Sequence, residues 1–364
     1  MAVQNYIDNY LYKYHNYKSY WNYEDGCILM GCQQLYEATY DEKYLQFILK
    51  YLKDFINDDG SIKNYELGKF NIDSINSGKV LYLVYEKTGD EKYRKAIEFL
   101  MNQLREHPRT QCGNFYHKLI YPNQIWLDGL YMAQPFYMEY ETKFNNKEHY
   151  DDILSQFENV RKYMYDENKY LYYHAFDEAK IQPWANKITG LSPNFWLRSM
   201  GWYVMSIIDV MDNMSIEIFE VYKKLECIFK EAIKGILRYQ DEKCGLFYQI
   251  IDRSDIQDNY IETSGSAMVA YAIMKACRMG VLSKEKYVTI GKGIMESLIN
   301  NKLQEIDGNI KLTGICHVAG LGPGEQRDGS IEYYLSEKVV SDDPKGVGPF
   351  MMAYTQYLLI SKEN

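Results

Sequence analysis

The sequence is poor in proline and cysteine and has no long apolar segment. It contains 8 Pro and 7 Cys in 364 residues, and no Gly/Ser-rich or strongly charged linker divides it. An odd number of cysteines without C-x-x-C spacing argues against a disulfide framework and against structural zinc, and predicts reduced, mostly buried thiols. The first six residues lack a basic segment followed by an apolar core. We therefore expect no signal peptide and a cytoplasmic location. The lack of a linker favours one domain over residues 1–364.

Positive charge is also scarce, because 41 Lys and Arg face 50 Asp and Glu, a net charge of −9. Nucleic acids and anionic membranes attract basic patches, so we expect neither as a partner. The 46% apolar and 25% charged residues are ordinary for a globular protein. Aromatic residues are abundant, with 37 Tyr and 5 Trp, and such flat amphipathic side chains can line a wet cleft.

A weak repeat is present. A glycine opens an apolar helical run at six places, namely Gly26, Gly78, Gly129, Gly201, Gly265 and Gly348. The first five runs are each followed by a two-faced run, such as residues 43–52, 92–100 and 229–237. Apolar runs followed by amphipathic ones predict an inner ring of buried helices inside an outer ring that meets water. The expected fold is all-α, an (α/α)6 barrel of six helical hairpins, with short strands near residues 170–175 and 245–251.

Polar and aromatic residues concentrate at the predicted helix openings. If the inner helices run parallel, their N-termini surround one mouth of the barrel, where these side chains would line a funnel: Asp73, His117, Lys118, Trp126, Asp128, His174, Trp196, Arg198 and Trp202. Each alone has an ordinary explanation as a helix cap, a surface histidine or an ion-pair partner. Together they suit an acidic sugar, with two carboxylates for proton transfer, indoles for stacking and two cations for an anionic group.

Opposing effects act on the pKa of Asp128 at the predicted helix start. The helix N-terminus favours the ionised carboxylate, whereas burial beside Trp126 and repulsion from Asp73 favour the protonated acid. The sequence leaves the balance open.

Two other patterns carry no site. The stretch from Gly320 to Gly324 lacks the Lys-Ser/Thr of a phosphate loop, so we predict a loop over the barrel mouth. The six histidines lack H-E-x-x-H spacing, so we expect neither a metal nor a cofactor.

Several motifs resemble the unsaturated rhamnogalacturonyl hydrolases of glycoside hydrolase family 105, a sister of the family 88 unsaturated glucuronyl hydrolases. The specific motif is residues 124–136, QIWLDGLYMAQPF. Supporting similarity lies in residues 112–118, 196–203, 262–271, 314–322 and 344–350.

The resemblance implies an (α/α)6 barrel that hydrates the C4=C5 vinyl ether of an unsaturated uronic acid. Asp128 would be the general acid/base and Asp73 the second active-site carboxylate. The resemblance also implies substrate-binding positions at His117, Lys118, Trp126, His174, Trp196, Arg198 and Trp202. Our own hypothesis from charge is that Lys118 or Arg198 binds the uronate. Family members often read Arg-Gly-Asn-Gly-Trp where this chain has residues 198–202, RSMGW, which affects subsite detail and substrate preference.

The leading interpretation is a hydrolase acting on unsaturated galacturonyl-rhamnose from pectin, so the expected partner is a small acidic oligosaccharide. One alternative is an unsaturated glucuronyl hydrolase acting on glycosaminoglycan, ulvan or gellan fragments. Others are a sugar epimerase using His117 or His174, and a sugar-binding protein without a working acid. The sequence does not indicate an oligomeric state.

Overall fold

The computed structural model describes residues 2–16, 18–322 and 324–362, without the side chain of Glu325. Two residues on which the sequence expectations depend lie outside the described residues: Met1 at the N-terminus and Pro323 in the predicted mouth loop. Within them the α-helices are α1 (Ala2–Lys13), α2 (Tyr23–Thr39), α3 (Glu42–Phe55), α4 (Val80–Thr88), α5 (Glu91–Glu106), α6 (Leu127–Phe144), α7 (Tyr150–Met164), α8 (Leu197–Asn213), α9 (Phe219–Leu237), α10 (Thr263–Arg278), α11 (Lys284–Lys302), α12 (Ile331–Ser336) and α13 (Pro344–Lys362). A 3-10 helix, Ile72–Gly78, precedes α4.

Six inner elements form a closed ring, which confirms the predicted barrel. In order around the ring they are α2, the 3-10 helix with α4, α6, α8, α10 and α13, and α13 packs back on α2. All six glycine openings fall within these elements. At Gly348 a Cβ atom would lie 2.3 Å from the Cys27 carbonyl oxygen, so the small residue permits the close approach of α13 to α2 that closes the ring.

The outer helices pack on the inner ones and expose one face. In α5 the buried positions include Tyr93, Ala96, Ile97, Leu100 and Leu104, the three- and four-residue spacing of an amphipathic helix. By contrast, α10 is buried at every position from Thr263 to Cys277. No described helix has the length and apolarity needed to cross a bilayer.

The sixth outer helix comes from the opposite end of the chain. The Tyr6 ring of α1 packs edge-on against Phe350 of α13, with centroids 6.1 Å apart, and its hydroxyl donates to Asp342 Oδ1 at 2.8 Å. The sequence pattern contained five complete pairs and an unpaired sixth opening, and α1 completes that pair.

Short strands lie in the loops. They are β1 (Gln124–Trp126), β2 (Tyr165–Asp166), β3 (Leu171–Tyr172), β4 (Ala175–Asp177), β5 (Leu303–Ile306), β6 (Asn309–Leu312), β7 (Ile315–Cys316) and β8 (Val339–Val340). They form antiparallel pairs β1–β4, β2–β3, β5–β6 and β7–β8. The strand predicted near residues 170–175 is present as β3 and the start of β4. The one predicted at 245–251 is wrong: Tyr248 and Ile250 make only isolated bridges, because their partners are single residues of neighbouring loops.

Candidate active site

A cavity of about 230 Å³ lies at the mouth where the inner helices begin. Its wall includes eight of the nine residues selected from the sequence: Asp73, His117, Lys118, Trp126, Asp128, Trp196, Arg198 and Trp202. They converge because Asp73 lies in the 3-10 helix, Asp128 in the first turn of α6, and Arg198 in the first turn of α8. His174 does not line the cavity; it is fully buried and lies behind Asp128.

Asp128 pairs with His174. The Asp128 Oδ2 and His174 Nε2 atoms are 3.4 Å apart, which is a long contact, and neither atom has a closer hydrogen-bond partner among the described residues. Burial acts to raise the pKa of Asp128, but the N–H donor on His174 and the positive charge of Arg198 outweigh it and lower the pKa. The structure thus decides the balance that the sequence left open, and the ligand-free carboxylate is ionised near neutral pH.

A second carboxylate, that of Asp73, lies across the cavity and contacts Lys118 and His117. Its Oδ2 lies 2.6 Å from Lys118 Nζ, and its Oδ1 lies 3.5 Å from His117 Nε2. Burial lowers the pKa of His117 to about 4, so this imidazole is neutral. Burial also acts to lower the pKa of Lys118, but the Asp73 carboxylate offsets it and the net shift is upward. Lys118 is therefore a firmly charged cation already engaged with Asp73.

The indole of Trp126 is not a free stacking platform. Trp126 is 6% exposed and stacks on His117, with ring centroids 4.3 Å apart and 5° between the planes. Tyr121 also stacks on it at 5.2 Å. These neighbours hold the indole beside Asp128 but cover much of its face, which limits the surface available to a sugar.

Arg198 is buried and serves as an anchor. Its guanidinium donates to the carbonyl of Cys316, and also to Ser264 Oγ at 3.4 Å and to the carbonyl of His317 at 3.3 Å. It lies 4.9 Å from the Trp196 ring centroid. These partners are neutral, so no carboxylate hydrogen-bonds to Arg198 among the described residues, whereas Lys118 pairs with Asp73.

The cavity wall carries more positive than negative groups. Its five basic side chains are Lys18, Lys118, Arg198, Arg327 and Lys345, and its three acidic ones are Glu24, Asp73 and Asp128. The local excess of cations contrasts with the net charge of −9 on the whole chain. Such a cavity attracts an anionic ligand.

Sequence reasoning missed several wall residues. Glu24 lies in the first turn of α2 and Lys345 in the first turn of α13, so the rule that selected Asp128, a polar residue at an inner-helix opening, applies to both. Lys345 Nζ lies 3.1 Å from Glu24 Oε1, which joins the first and last inner helices at the cavity. Lys18 lies in a loop and Arg327 ends a short 3-10 helix, Glu325–Arg327, and neither carries a local signal.

The chain is similar to known glycoside hydrolases in both sequence and structure. The model of the family described as Glycosyl Hydrolase Family 88 matches residues 2–360. A solved glycoside hydrolase of family 105 from C. acetobutylicum is 44% identical, with a TM-score of 0.90 over 93% of this chain and 94% of that one. Protein Atu3128 of Agrobacterium fabrum is 39% identical over 242 residues, 64% of this chain and 100% of its own length. Unsaturated rhamnogalacturonyl hydrolase YesR of Bacillus subtilis is 26% identical over 265 residues, covering 71% of this chain and 72% of its own.

Proposed function

The chain belongs to glycosyl hydrolase family 88 and is a glycoside hydrolase, and from this premise we propose that it acts on unsaturated galacturonyl-rhamnose. The observation that carries the proposal is the cavity itself, where a carboxylate paired with a histidine faces a wall with excess positive charge. A small acidic sugar fits this charge. The name of YesR, a relative over most of the chain, supports the rhamnogalacturonyl substrate.

In the proposed reaction Asp128 acts as general acid and then as general base. It donates a proton to C4 of the unsaturated ring, and the positive charge that develops at C5 and the ring oxygen is stabilised by the Asp128 and Asp73 carboxylates. Water attacks C5 as Asp128 takes back a proton. The resulting hemiketal opens and releases the neighbouring sugar.

We propose Arg198 over Lys118 for recognition of the uronate carboxylate. Lys118 is already paired with Asp73 at 2.6 Å, whereas Arg198 hydrogen-bonds to neutral groups and has no direct carboxylate contact within the described part of the chain. A substrate carboxylate would offset this buried charge.

We also propose a cytoplasmic location. All seven cysteines lie within the described residues and are free thiols, which suits a reducing compartment.

The first prediction concerns Asp128. Asp128→Asn keeps the shape but removes the ionisable proton, so turnover of unsaturated galacturonyl-rhamnose should fall on the order of a hundredfold or more. The assay follows loss of the ultraviolet absorbance of the C4=C5 bond. Asp151→Asn, an exposed first-turn aspartate of α7, is the matched control and should keep wild-type turnover.

A second substrate tests the sugar specificity separately from the reaction class. If only unsaturated chondroitin disaccharide is consumed, the substrate assignment is wrong and the reaction class remains. If folded Asp128→Asn turns over as fast as wild type, Asp128 is not the acid.

A further inference from the structure

The hydroxyl of Tyr334 lies behind the pair formed by Asp128 and His174 and has no part in the reaction described above. Tyr334 is fully buried on the short helix α12, and its hydroxyl lies 2.8 Å from His174 Nδ1. Since His174 Nε2 faces Asp128 Oδ2 at 3.4 Å, the three side chains form one line from the protein interior to the cavity. Tyr334 itself does not line the cavity.

The chemistry of the three groups fixes where the protons lie. Burial, together with the negative groups near it, raises the pKa of Tyr334 well above its ordinary value, so the phenol keeps its proton. In the neutral form of His174 the hydroxyl then donates to Nδ1, and the imidazole carries its proton on Nε2, which faces the carboxylate. The opposite tautomer would set the Nε2 lone pair against the lone pairs of Asp128.

We propose that Tyr334 is a positioning residue that holds His174 in the Nε2–H tautomer and thereby keeps a hydrogen-bond donor directed at Asp128. The inference rests on the proposed function, since it assigns the environment of the same acid/base. It adds a residue from the far end of the chain to the active site, 206 positions after Asp128 in the numbering.

The packing around Tyr334 leaves its ring little freedom. The ring stacks on Trp196 at a centroid distance of 6.1 Å, and its backbone carbonyl accepts from Gln249 Nε2 at 3.4 Å. Gln249 Oε1 in turn accepts from Trp196 Nε1 at 3.0 Å. With its ring packed on Trp196 and its backbone fixed by Gln249, Tyr334 directs its hydroxyl at His174.

The neighbouring residue supplies a matched control. Tyr333 lies on the same helix, but its hydroxyl donates to the carbonyl of Gly320 at 2.5 Å, and Gly320 lines the cavity. Tyr333→Phe therefore removes an equivalent hydroxyl without touching His174.

Other charged and titratable groups surround the line and must be considered in any pH measurement. Those that face Asp128, His174 or Tyr334 are His117, Arg198, Cys316, Asp328 and Tyr333, with Asp73 and Lys118 across the cavity. The Tyr334→Phe substitution leaves all of these groups in place.

The test compares wild type, Tyr334→Phe and Tyr333→Phe by two readouts. The first is the tautomer of His174 from histidine ¹⁵N chemical shifts, assigned with a His174→Gln variant. The second is the pH dependence of kcat and kcat/KM on unsaturated galacturonyl-rhamnose. In Tyr334→Phe we expect mixed tautomers, a fall in kcat on the order of tenfold, and an alkaline limb of kcat/KM at higher pH, because Asp128 loses a donor that lowers its pKa. KM should change little.

Tyr333→Phe should keep the His174 tautomer and the position of the alkaline limb, although KM can change through Gly320. Wild-type tautomer and limb in folded Tyr334→Phe would overturn the inference. The same shift in both variants would also overturn it, because it would reflect helix α12 rather than the hydroxyl. If wild type consumes no unsaturated uronide, the proposed function fails, whereas the tautomer measurement still decides the role of Tyr334.

Discussion

Asp128 combines two requirements that oppose each other. In the proposed role of acid it must carry a proton, yet, burial notwithstanding, the His174 N–H and the positive charge of Arg198 hold its pKa below the ordinary value. The proposed anionic substrate would change this balance, because its carboxylate would destabilise the ionised form of Asp128. The substrate would thus help to protonate the group that acts on it.

This coupling predicts different pH profiles for the free enzyme and the complex. The pKa of Asp128 should be higher in the complex, so the alkaline limb of kcat should lie at higher pH than that of kcat/KM. Steady-state rates across pH on unsaturated galacturonyl-rhamnose measure both limbs. With the uncharged methyl ester of the uronate as control, the gap between the limbs should narrow. Coincident limbs with the charged substrate would contradict the coupling.

At the scale of elements, helix α6 contains a proline that leaves one helical carbonyl without its backbone donor. A buried lysine donates to that carbonyl instead. Pro135 has no N–H, so the carbonyl of Tyr131, one turn earlier, lacks its helical donor. Lys79, between the 3-10 helix and α4, donates to that carbonyl at 2.6 Å and lies 3.4 Å from the Tyr131 ring centroid. Burial lowers the pKa of Lys79 to about 7. A neutral or a charged amine can supply the missing hydrogen bond, which links two neighbouring inner elements.

The pair predicts non-additive effects on stability. In Lys79→Met the Tyr131 carbonyl loses its donor, and Pro135→Ala restores a backbone N–H that can replace it. Pro135→Ala should therefore be more favourable in the Lys79→Met background than in wild type, by about 1–3 kcal/mol. Urea unfolding of the two single variants and the double variant measures the difference. Additive free energies of unfolding would show that Lys79 does not serve this carbonyl.

At the scale of the whole molecule, the two ends of the barrel differ in charge. The helix-start end has the cationic cavity, whereas a smaller cavity of about 140 Å³ at the helix-end side is lined by more acidic than basic groups. Lys275 lies there 2.8 Å from Asp209 and 2.8 Å from Asp212. This asymmetry favours binding of an anion at the helix-start end, although the whole chain is negative.

Acid sensitivity is a property of the whole fold and depends on buried neutral histidines. His107 is 4% exposed, its Nε2–H donates to the Tyr116 carbonyl at 2.8 Å, and burial lowers its pKa to about 4. The unfolded chain therefore takes up a proton near pH 6.5 that the folded chain takes up only near pH 4. The stability that His107 contributes is present above pH 6.5 and is lost as the pH falls towards 4.

This linkage gives a prediction for His107→Gln, which lacks the titrating group. The difference in free energy of unfolding between wild type and His107→Gln should shrink by up to about 3 kcal/mol between pH 6.5 and pH 4. Urea unfolding of both proteins at several pH values measures it. The exposed His15 provides a control, because His15→Gln should follow the wild-type curve. A constant difference between wild type and His107→Gln would contradict burial of the neutral imidazole.

Much of the architecture could be predicted from the sequence because it depends on local periodicity. Apolar runs opened by small residues, such as those at Gly26 and Gly348, specify helices buried on all sides, and the two-faced run at 92–100 specifies an outer helix. The same periodicity placed Asp128 and Arg198 at helix starts, and parallel helix starts must meet at one end of a closed ring. The reduced state predicted for the thiols depends only on the number and the spacing of the cysteines.

Only the tertiary structure decided the remaining features, because each depends on residues far apart in sequence. The pairing of α1 with α13, the anchoring of Arg198 on residues 316 and 317, and the contact of Tyr334 with His174 join segments that share no local pattern. The direction of the Asp128 pKa shift belongs to the same class. Burial, hydrogen bonding and nearby charge act on that carboxylate with opposite signs, and their sum is set by distances that exist only in the folded chain.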